Sequence, residues 1–287
     1  MAEQVLNAVR YYGGKNGNAT HGTGRWIAGL LPTNAEIYVE PFAGMLGVLL
    51  QRPKAAIEIV NDLNGFVAAF WRTLRDQPDE FERLLSCTEY GLDCYGEALQ
   101  IIKTAEDDPS VSDLRKAWAL TVCSNVAIGD LSTWELSAFR RPVPGYRLPR
   151  TFRRKTLQLT SQRMRERIQN VQVDRIDATK VINRWIEAPS ALLYLDPPYK
   201  NNYRSYLTAV DDDLVESLMN CLVAENVRAR VAVSGYPSCE FAQLVEHGWT
   251  ELRKETYMSA AAGGEKEPRT ECLWLNFELT QAQLFAA

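Results

Sequence analysis

The sequence predicts an α/β fold, an open and largely parallel sheet interrupted by an inserted, mainly helical segment. Three observations lead there. Short runs of strand-forming residues, Ile37-Tyr38-Val39, Ile57-Glu58-Ile59-Val60 and Leu192-Leu193-Tyr194-Leu195, each run into an acid or a Pro/Gly turn. Helical patterns alternate with such runs at both ends of the chain, the rhythm of α/β architecture. Between residues 76 and 169 the strand pattern thins and helical segments replace it. The predicted organisation is a discontinuous α/β domain, residues 1–75 plus 170–287, around an insertion at 76–169.

A chain of 287 residues suffices for one large α/β domain with such an insertion. Its composition, 46% hydrophobic and 24% charged, is that of an ordinary globular protein with ample core. A formal charge of −4 excludes a globally basic nucleic-acid binder, so any such surface must be local. The cysteines at 87, 94, 123, 221, 239 and 272 form no C-x-x-C pair. With only His21 and His247 beside them, no metal site is expected. Nothing reads as a signal peptide and no apolar run is long enough to span a bilayer, so a cytoplasmic protein without membrane contact is expected, in a bacterial cell or phage-infected host.

In chain order, Tyr11-Tyr12-Gly13-Gly14-Lys15 comes first. Paired glycines let backbone amides approach a ligand, and a lysine just after them can meet an anion. A phosphate-binding P-loop is disfavoured, because Asn16 follows Lys15 and no strand precedes it. Residues 26–31 read as an amphipathic helix stopped by Pro32. The strand beginning at Ile37 runs through Glu40-Pro41-Phe42, and Ala43-Gly44-Met45-Leu46-Gly47 is expected to open a helix. Strand, glycine turn and helix N-terminus make a nucleotide-type site, although the spacing is not G-x-G-x-x-G and a nicotinamide cofactor is disfavoured. The second strand ends at Asp62, roughly 20 residues past the first turn, suited to a ribose hydroxyl. Asp62 is also a candidate N-cap for a helix over residues 65–74, and the two roles are compatible.

In the insertion, helices are expected around residues 80–86 and 111–126. A cationic stretch follows, with Arg140, Arg141, Arg147, Arg150, Arg153, Arg154 and Lys155 interleaved with Trp134, Phe139, Tyr146 and Phe152. Cations neutralise phosphates while aromatics wedge or stack against bases, so this stretch is the candidate nucleic-acid surface. Pro142, Pro144, Gly145 and Pro149 forbid one long helix there. Arg163, Arg165 and Arg167, at helical spacing, fit a solvated helix face.

After residue 170 the α/β rhythm resumes, with strands expected at 171–173, 191–195, 229–234, 251–257 and 270–278 and helices at 179–186, 211–226 and 239–246. Asp177 sits just past the first of these strands. The central stretch is Leu192-Leu193-Tyr194-Leu195-Asp196-Pro197-Pro198-Tyr199. Prolines cannot donate to a ladder, so the strand stops and leaves in a rigid turn. That turn gathers the Asp196 carboxylate, the Pro197 carbonyl and the Tyr199 ring at the strand's C-terminal edge, with Pro198 fixing the geometry. Two acceptors beside an aromatic face suit a planar NH2 group.

These residues in this order resemble the Dam-like alpha group of DNA adenine N6-methyltransferases. Y-Y-G-G-K is similar to the family's aromatic-x-G-G-K motif, V-E-P-F-A-G to its cofactor loop and I-V-N-D-L-N to its ribose-binding segment. Y-L-D-P-P-Y is similar to its catalytic motif, and T-E-C-L-W-L-N-F to its closing strand. The resemblance covers residues 8–75 and 170–279, and the length between them fits a target-recognition insertion. It implies a Rossmann-like sheet, S-adenosylmethionine as methyl donor and double-stranded DNA as substrate, with no obligatory protein partner.

Carried over by position, Tyr11, Lys15, Asp62 and Asp196 match the cofactor-contacting set, with Glu40 and Gly44 lining the loop and Asp177 near the adenine of the cofactor. Asp196, Pro197, Pro198 and Tyr199 match the catalytic motif. The chain departs where the family often has a second glycine and it has Leu46, and it lacks a recognisable N-x-x-G-x-N-G segment in the insertion. The expected reaction is methyl transfer to N6 of a flipped adenine. Rival readings are cytosine N4 methylation, RNA adenine methylation and a catalytically silent DNA-binding module. A restriction-modification or phage setting is compatible with each.

Overall fold

The computed structural model describes residues 6–9, 15, 22–127, 134–139, 152–198, 213–237, 240–257 and 268–284. Within them, seven strands form one sheet: β1 (Ile37–Glu40), β2 (Ile57–Asn61), β3 (Gln172–Asp174), β4 (Ala191–Leu195), β5 (Arg230–Gly235), β6 (Thr250–Tyr257) and β7 (Pro268–Leu275). They pair in the order β3-β2-β1-β4-β5-β7-β6. All pairings are parallel from β3 to β5, whereas β7 is antiparallel to both β5 and β6. The arrangement is the Rossmann-like α/β fold expected from the sequence. Chain direction across the sheet reverses at β1 and β4, where Val39 pairs with Leu193, so the crevice between these two strand ends is the topological switch point.

The period of two along each strand sorts side chains between two cores. Tyr38, Leu192, Tyr194, Ala232, Leu273 and Leu275 face one; Val39, Leu193, Leu195, Val231, Val233 and Trp274 face the other. The first face is covered by α1 (Thr23–Leu30) and α2 (Gly65–Asp76), and the same core continues into α3 (Pro78–Cys87), α4 (Leu92–Thr104) and α5 (Asp113–Val126). Phe70 of α2 meets Phe81 of α3 edge-on, with ring centroids 6.0 Å apart. The second face is covered by α8 (Ala178–Trp185), α9 (Leu214–Leu222) and a 3-10 helix at Glu240–His247. Two short helices, α6 (Arg153–Leu159) and α7 (Gln162–Ile168), return the chain to β3. No helix among the described residues is long and apolar enough to cross a membrane.

Helix α4 has no counterpart among the predicted elements. Its buried residues Tyr95, Ala98, Leu99 and Ile102 recur at helical spacing, but Gly96 in the middle weakens the pattern. The segment after β1 corrects the expectation of a helix at residues 43–47. Gly44 and Leu46 adopt left-handed backbone conformations, with φ of 44° and 50°, and only one 3-10 turn, Leu49–Gln51, follows. A left-handed residue cannot continue a right-handed helix.

Leu46 therefore keeps a glycine-like backbone while burying its side chain almost completely. Leu46→Gly would relieve about 1–2 kcal/mol of backbone strain but lose about 2–5 kcal/mol of side-chain packing. The packing loss is the larger, so chemical denaturation of Leu46→Gly should show a less stable protein.

Arg163 of α7 is exposed as expected, but Arg165 and Arg167 differ from a solvated face. Arg165 bonds Asp79 at 2.5 Å and Glu82 at 2.8 Å on α3. Arg167 is buried and forks onto both oxygens of the equally buried Glu58, at 2.6 and 2.9 Å, while also donating to the Leu49 carbonyl. The helix thus clamps the start of β2 and the loop that follows β1.

Candidate active site

The parallel strands β1 and β4 end side by side, and the chain leaves each through a turn at the same edge of the sheet. Asp196 is the first residue past β4. By the period of two, it shares a face with Leu192 and Tyr194. The same parity puts Ser234 with Ala232 on β5, and Glu271 with Leu273 and Leu275 on β7.

These side chains meet. Lys15 Nζ lies 2.8 Å from Asp196 Oδ1 and 3.1 Å from Glu271 Oε1, and all three side chains are at least four-fifths buried. Ser234 Oγ donates to the same Asp196 oxygen at 3.0 Å, and the Tyr194 hydroxyl lies 2.9 Å from Ser234 Oγ. Burial, then the nearby Asp196 charge, hold the Tyr194 phenol well above its ordinary value. Charges removed from water are tolerated only when paired, and this cluster places one ammonium between two carboxylates.

The neighbouring half of the edge is built around Asp62. Its Oδ2 accepts from the Gly44 amide at 2.8 Å and its Oδ1 from the Asn64 amide at 2.9 Å. Burial outweighs these bonds and pushes the Asp62 carboxyl up to about 6. Asp62 is not the cap of α2; Asn64 is, accepting from the amides of Phe66 and Val67. Asp62 instead ties the left-handed turn after β1 to the end of β2. Asn61, fully buried, donates to the carbonyls of Pro41 and Ile176 and accepts from the Ile176 amide, joining the ends of β1, β2 and β3.

Glu40 is buried behind the turn, where its Oε1 accepts from the Tyr38 hydroxyl at 2.6 Å and the Leu49 amide at 2.8 Å. Burial pushes its carboxyl up to about 8, against the lowering effect of these hydrogen bonds. Trp71 of α2 bonds the Gly44 carbonyl at 2.8 Å. Gly24 allows the closest approach in this region. A Cβ there would stand 2.4 Å from the Gly47 carbonyl oxygen and 2.9 Å from that of Lys15, while its amide donates to the Lys15 carbonyl. The Lys15 backbone is thereby held against the loop after β1.

Of the predicted site residues, Lys15 and Asp196 are in contact, as are Gly44 and Asp62. Asp177 is exposed and caps α8, its carboxylate accepting from the Thr179 amide; Ile176 beside it is bonded to Asn61. Pro197 and Pro198 follow Asp196 at the edge. Tyr11, Tyr199, Arg140, Arg141, Arg147 and Arg150 lie outside the described residues. Arg153, Arg154 and Lys155 open α6, but their side chains lie outside the described residues too. Sequence reasoning missed Ser234, Tyr194, Glu271, Asn61 and Gly24. For Ser234 and Glu271 a signal exists: each is a polar residue on the inward parity of a buried strand, two positions from an apolar core residue.

A family model described as D12 class N6 adenine-specific DNA methyltransferase matches residues 11–222, well over half of the chain. The matched span contains Lys15, Glu40, Gly44, Asp62 and Asp196 and ends before Ser234 and Glu271. A search of curated proteins finds no significant match.

Proposed function

The chain belongs to the D12 class N6 adenine-specific DNA methyltransferase family, and on that premise we propose that it moves a methyl group from S-adenosylmethionine to N6 of an adenine flipped out of duplex DNA. The observation that carries the reading is the Asp196 carboxylate, held by Lys15 and Ser234 at the C-terminal edge of β4, at the switch point of the sheet. Membership of an adenine-specific DNA methyltransferase family favours adenine in DNA over the cytosine, RNA and silent-module alternatives.

The residues at the other half of the edge fit the cofactor by their chemistry. Asp62 is an acceptor beside a left-handed glycine turn, suited to ribose hydroxyls, and Gly44 leaves the turn without a side chain. Glu40 acts from behind, fixing the loop through Leu49. Tyr11 and Asp177 complete the proposed set. When bound, the cofactor supplies an electrophilic methyl group on a sulfonium.

The chain's own residues prepare the acceptor. The lone pair of an aromatic amine is delocalised into its ring and attacks poorly. Asp196 and the Pro197 carbonyl would accept the two amine hydrogens, drawing the nitrogen toward a tetrahedral shape. Tyr199 would stack on the flipped base, worth about 1–3 kcal/mol against a flipping cost of a few kcal/mol. Lys15 offsets the charge of Asp196 and Glu271 within the cluster. Positioning and fixed electrostatics then carry the acceleration. Arg140, Arg141, Arg147, Arg150, Arg153, Arg154 and Lys155, within the proposed recognition insertion at 76–169, would neutralise backbone phosphates.

Ribose hydroxyls donate more strongly to a carboxylate than to its protonated form, because the charge assists the bond. Because the Asp62 carboxyl sits up at about 6, cofactor affinity should fall as pH drops below about 6, by at most about tenfold per pH unit. Calorimetric titration across pH 5–8 without DNA checks this, and Asp62→Asn should bind weakly with a flat profile. The function itself is tested by offering methyl-labelled donor with duplex DNA, single-stranded DNA and RNA of one sequence. Label in duplex DNA is expected; preferential labelling of RNA or of the single strand would overturn the duplex reading.

A further inference from the structure

We propose that Ser234 and Tyr194 form a directed hydroxyl chain that orients the Asp196 carboxylate toward its amine substrate, Ser234 acting on Asp196 and Tyr194 acting through Ser234. The inference rests on the reading of Asp196 as the acceptor for the adenine amine, and Ser234 lies outside the quoted sequence motifs while Tyr194 opens the Y-L-D-P-P-Y stretch.

The direction follows from counting hydrogens. A carboxylate only accepts, and a serine hydroxyl carries one hydrogen. The 3.0 Å contact between Ser234 Oγ and Asp196 Oδ1 commits that hydrogen to Asp196. The 2.9 Å contact between Ser234 and Tyr194 must then run from the phenol to the serine. Burial keeps the proton on the phenol throughout the working pH range. The longer approach of Ser234 Oγ to the Leu195 carbonyl, 3.5 Å, is at the outer limit of a hydrogen bond.

The chain has the rigidity that orientation requires. Tyr194 and Ser234 are 2% and 0% exposed, so water does not compete for their hydrogens. They stand on adjacent strands locked in register, with Tyr194 opposite Ala232 and Ser234 two residues further on. Lys15 reaches the same oxygen from a long, flexible stem, as a point charge with three rotatable donors. It supplies charge, whereas Ser234, one carbon from its backbone, supplies direction. Among the described residues, Lys15 and, across it, Glu271 are charged groups facing Asp196, with neutral Tyr194 behind Ser234.

The test uses the full-length enzyme, saturating methyl donor and unmethylated duplex DNA in single turnover. Ser234→Ala should slow methylation by about 10- to 100-fold, the range for a hydrogen bond to a charged group. Affinities for DNA and donor should stay within about twofold, because the chain touches neither. The acid limb of the pH–rate profile should move to higher pH, since a carboxylate that loses a donor competes less well against a proton. Tyr194→Phe should move rate and limb the same way by a smaller amount, and Ser234→Thr should recover most of the rate.

A purely structural role would lower thermal stability and leave the acid limb in place. Folded Ser234→Ala and Tyr194→Phe that match the parent in rate and acid limb would overturn the proposal. If Ser234→Ala does not fold, Tyr194→Phe decides on the same readouts. An inactive parent, or an active Asp196→Ala, would instead defeat the reading of Asp196 itself.

Discussion

Asp196→Ala should slow methyl transfer by at least about 10²–10³-fold, the range for removing one preorganised group that acts on a developing charge. Affinity for duplex DNA should change little. The carboxylate lies at the strand edge, with Lys15 and Ser234 both directed at one of its oxygens. Its removal deletes the acceptor for the amine hydrogens while Lys15 keeps Glu271 as its counter-ion at 3.1 Å, so the fold survives. Asp196→Asn separates charge from shape. It keeps one acceptor oxygen but brings an NH2 group that cannot accept, and most of the loss should persist. Single-turnover rates beside filter binding check both variants, and a normal rate in Asp196→Ala would remove Asp196 from the chemistry.

The largest expected effect on stability is remote from the edge. Arg167→Ala leaves the buried Glu58 carboxylate without the guanidinium that bonds both its oxygens, and leaves the Leu49 carbonyl without its arginine donor. Breaking a buried pair from one side costs about 3–5 kcal/mol, lowering the melting temperature by about 6–10 °C for a chain of this size. Replacing both partners with apolar residues, as in Arg167→Met with Glu58→Met, should recover much of the loss, because neither charge then remains uncompensated. Differential scanning calorimetry distinguishes the single from the double variant. The result matters for the site because Leu49 also bonds Glu40, so Arg167 and Glu40 secure the same loop.

Much of this protein was legible in its sequence, for identifiable reasons. The strands at β1, β2 and β4 could be read because apolar runs end abruptly in an acid or a proline, and their ends became the two halves of the site. Lys15 and Asp196, 181 residues apart, could be paired only through the family resemblance, since no local pattern carries a contact of that range. Local chemistry misled where tertiary packing overrode it. The glycine turn after β1 looked helical because the left-handed backbone of Leu46 is not written in its side chain. Arg167 looked solvated because its helical spacing matches that of Arg163, and only the fold brings Glu58 to it. The cap of α2 fell to Asn64 rather than Asp62, two residues earlier, because the Asp62 carboxylate accepts from Gly44 and Asn64.

The most direct test of the central claim is the identity of the methylated nucleoside. Purified protein, isotopically labelled S-adenosylmethionine and unmethylated duplex DNA are incubated together, the DNA is digested, and the nucleosides are separated. The account predicts label in N6-methyladenine, abolished by Asp196→Ala. Label in N4-methylcytosine, or none despite measurable binding of donor and DNA, would contradict it.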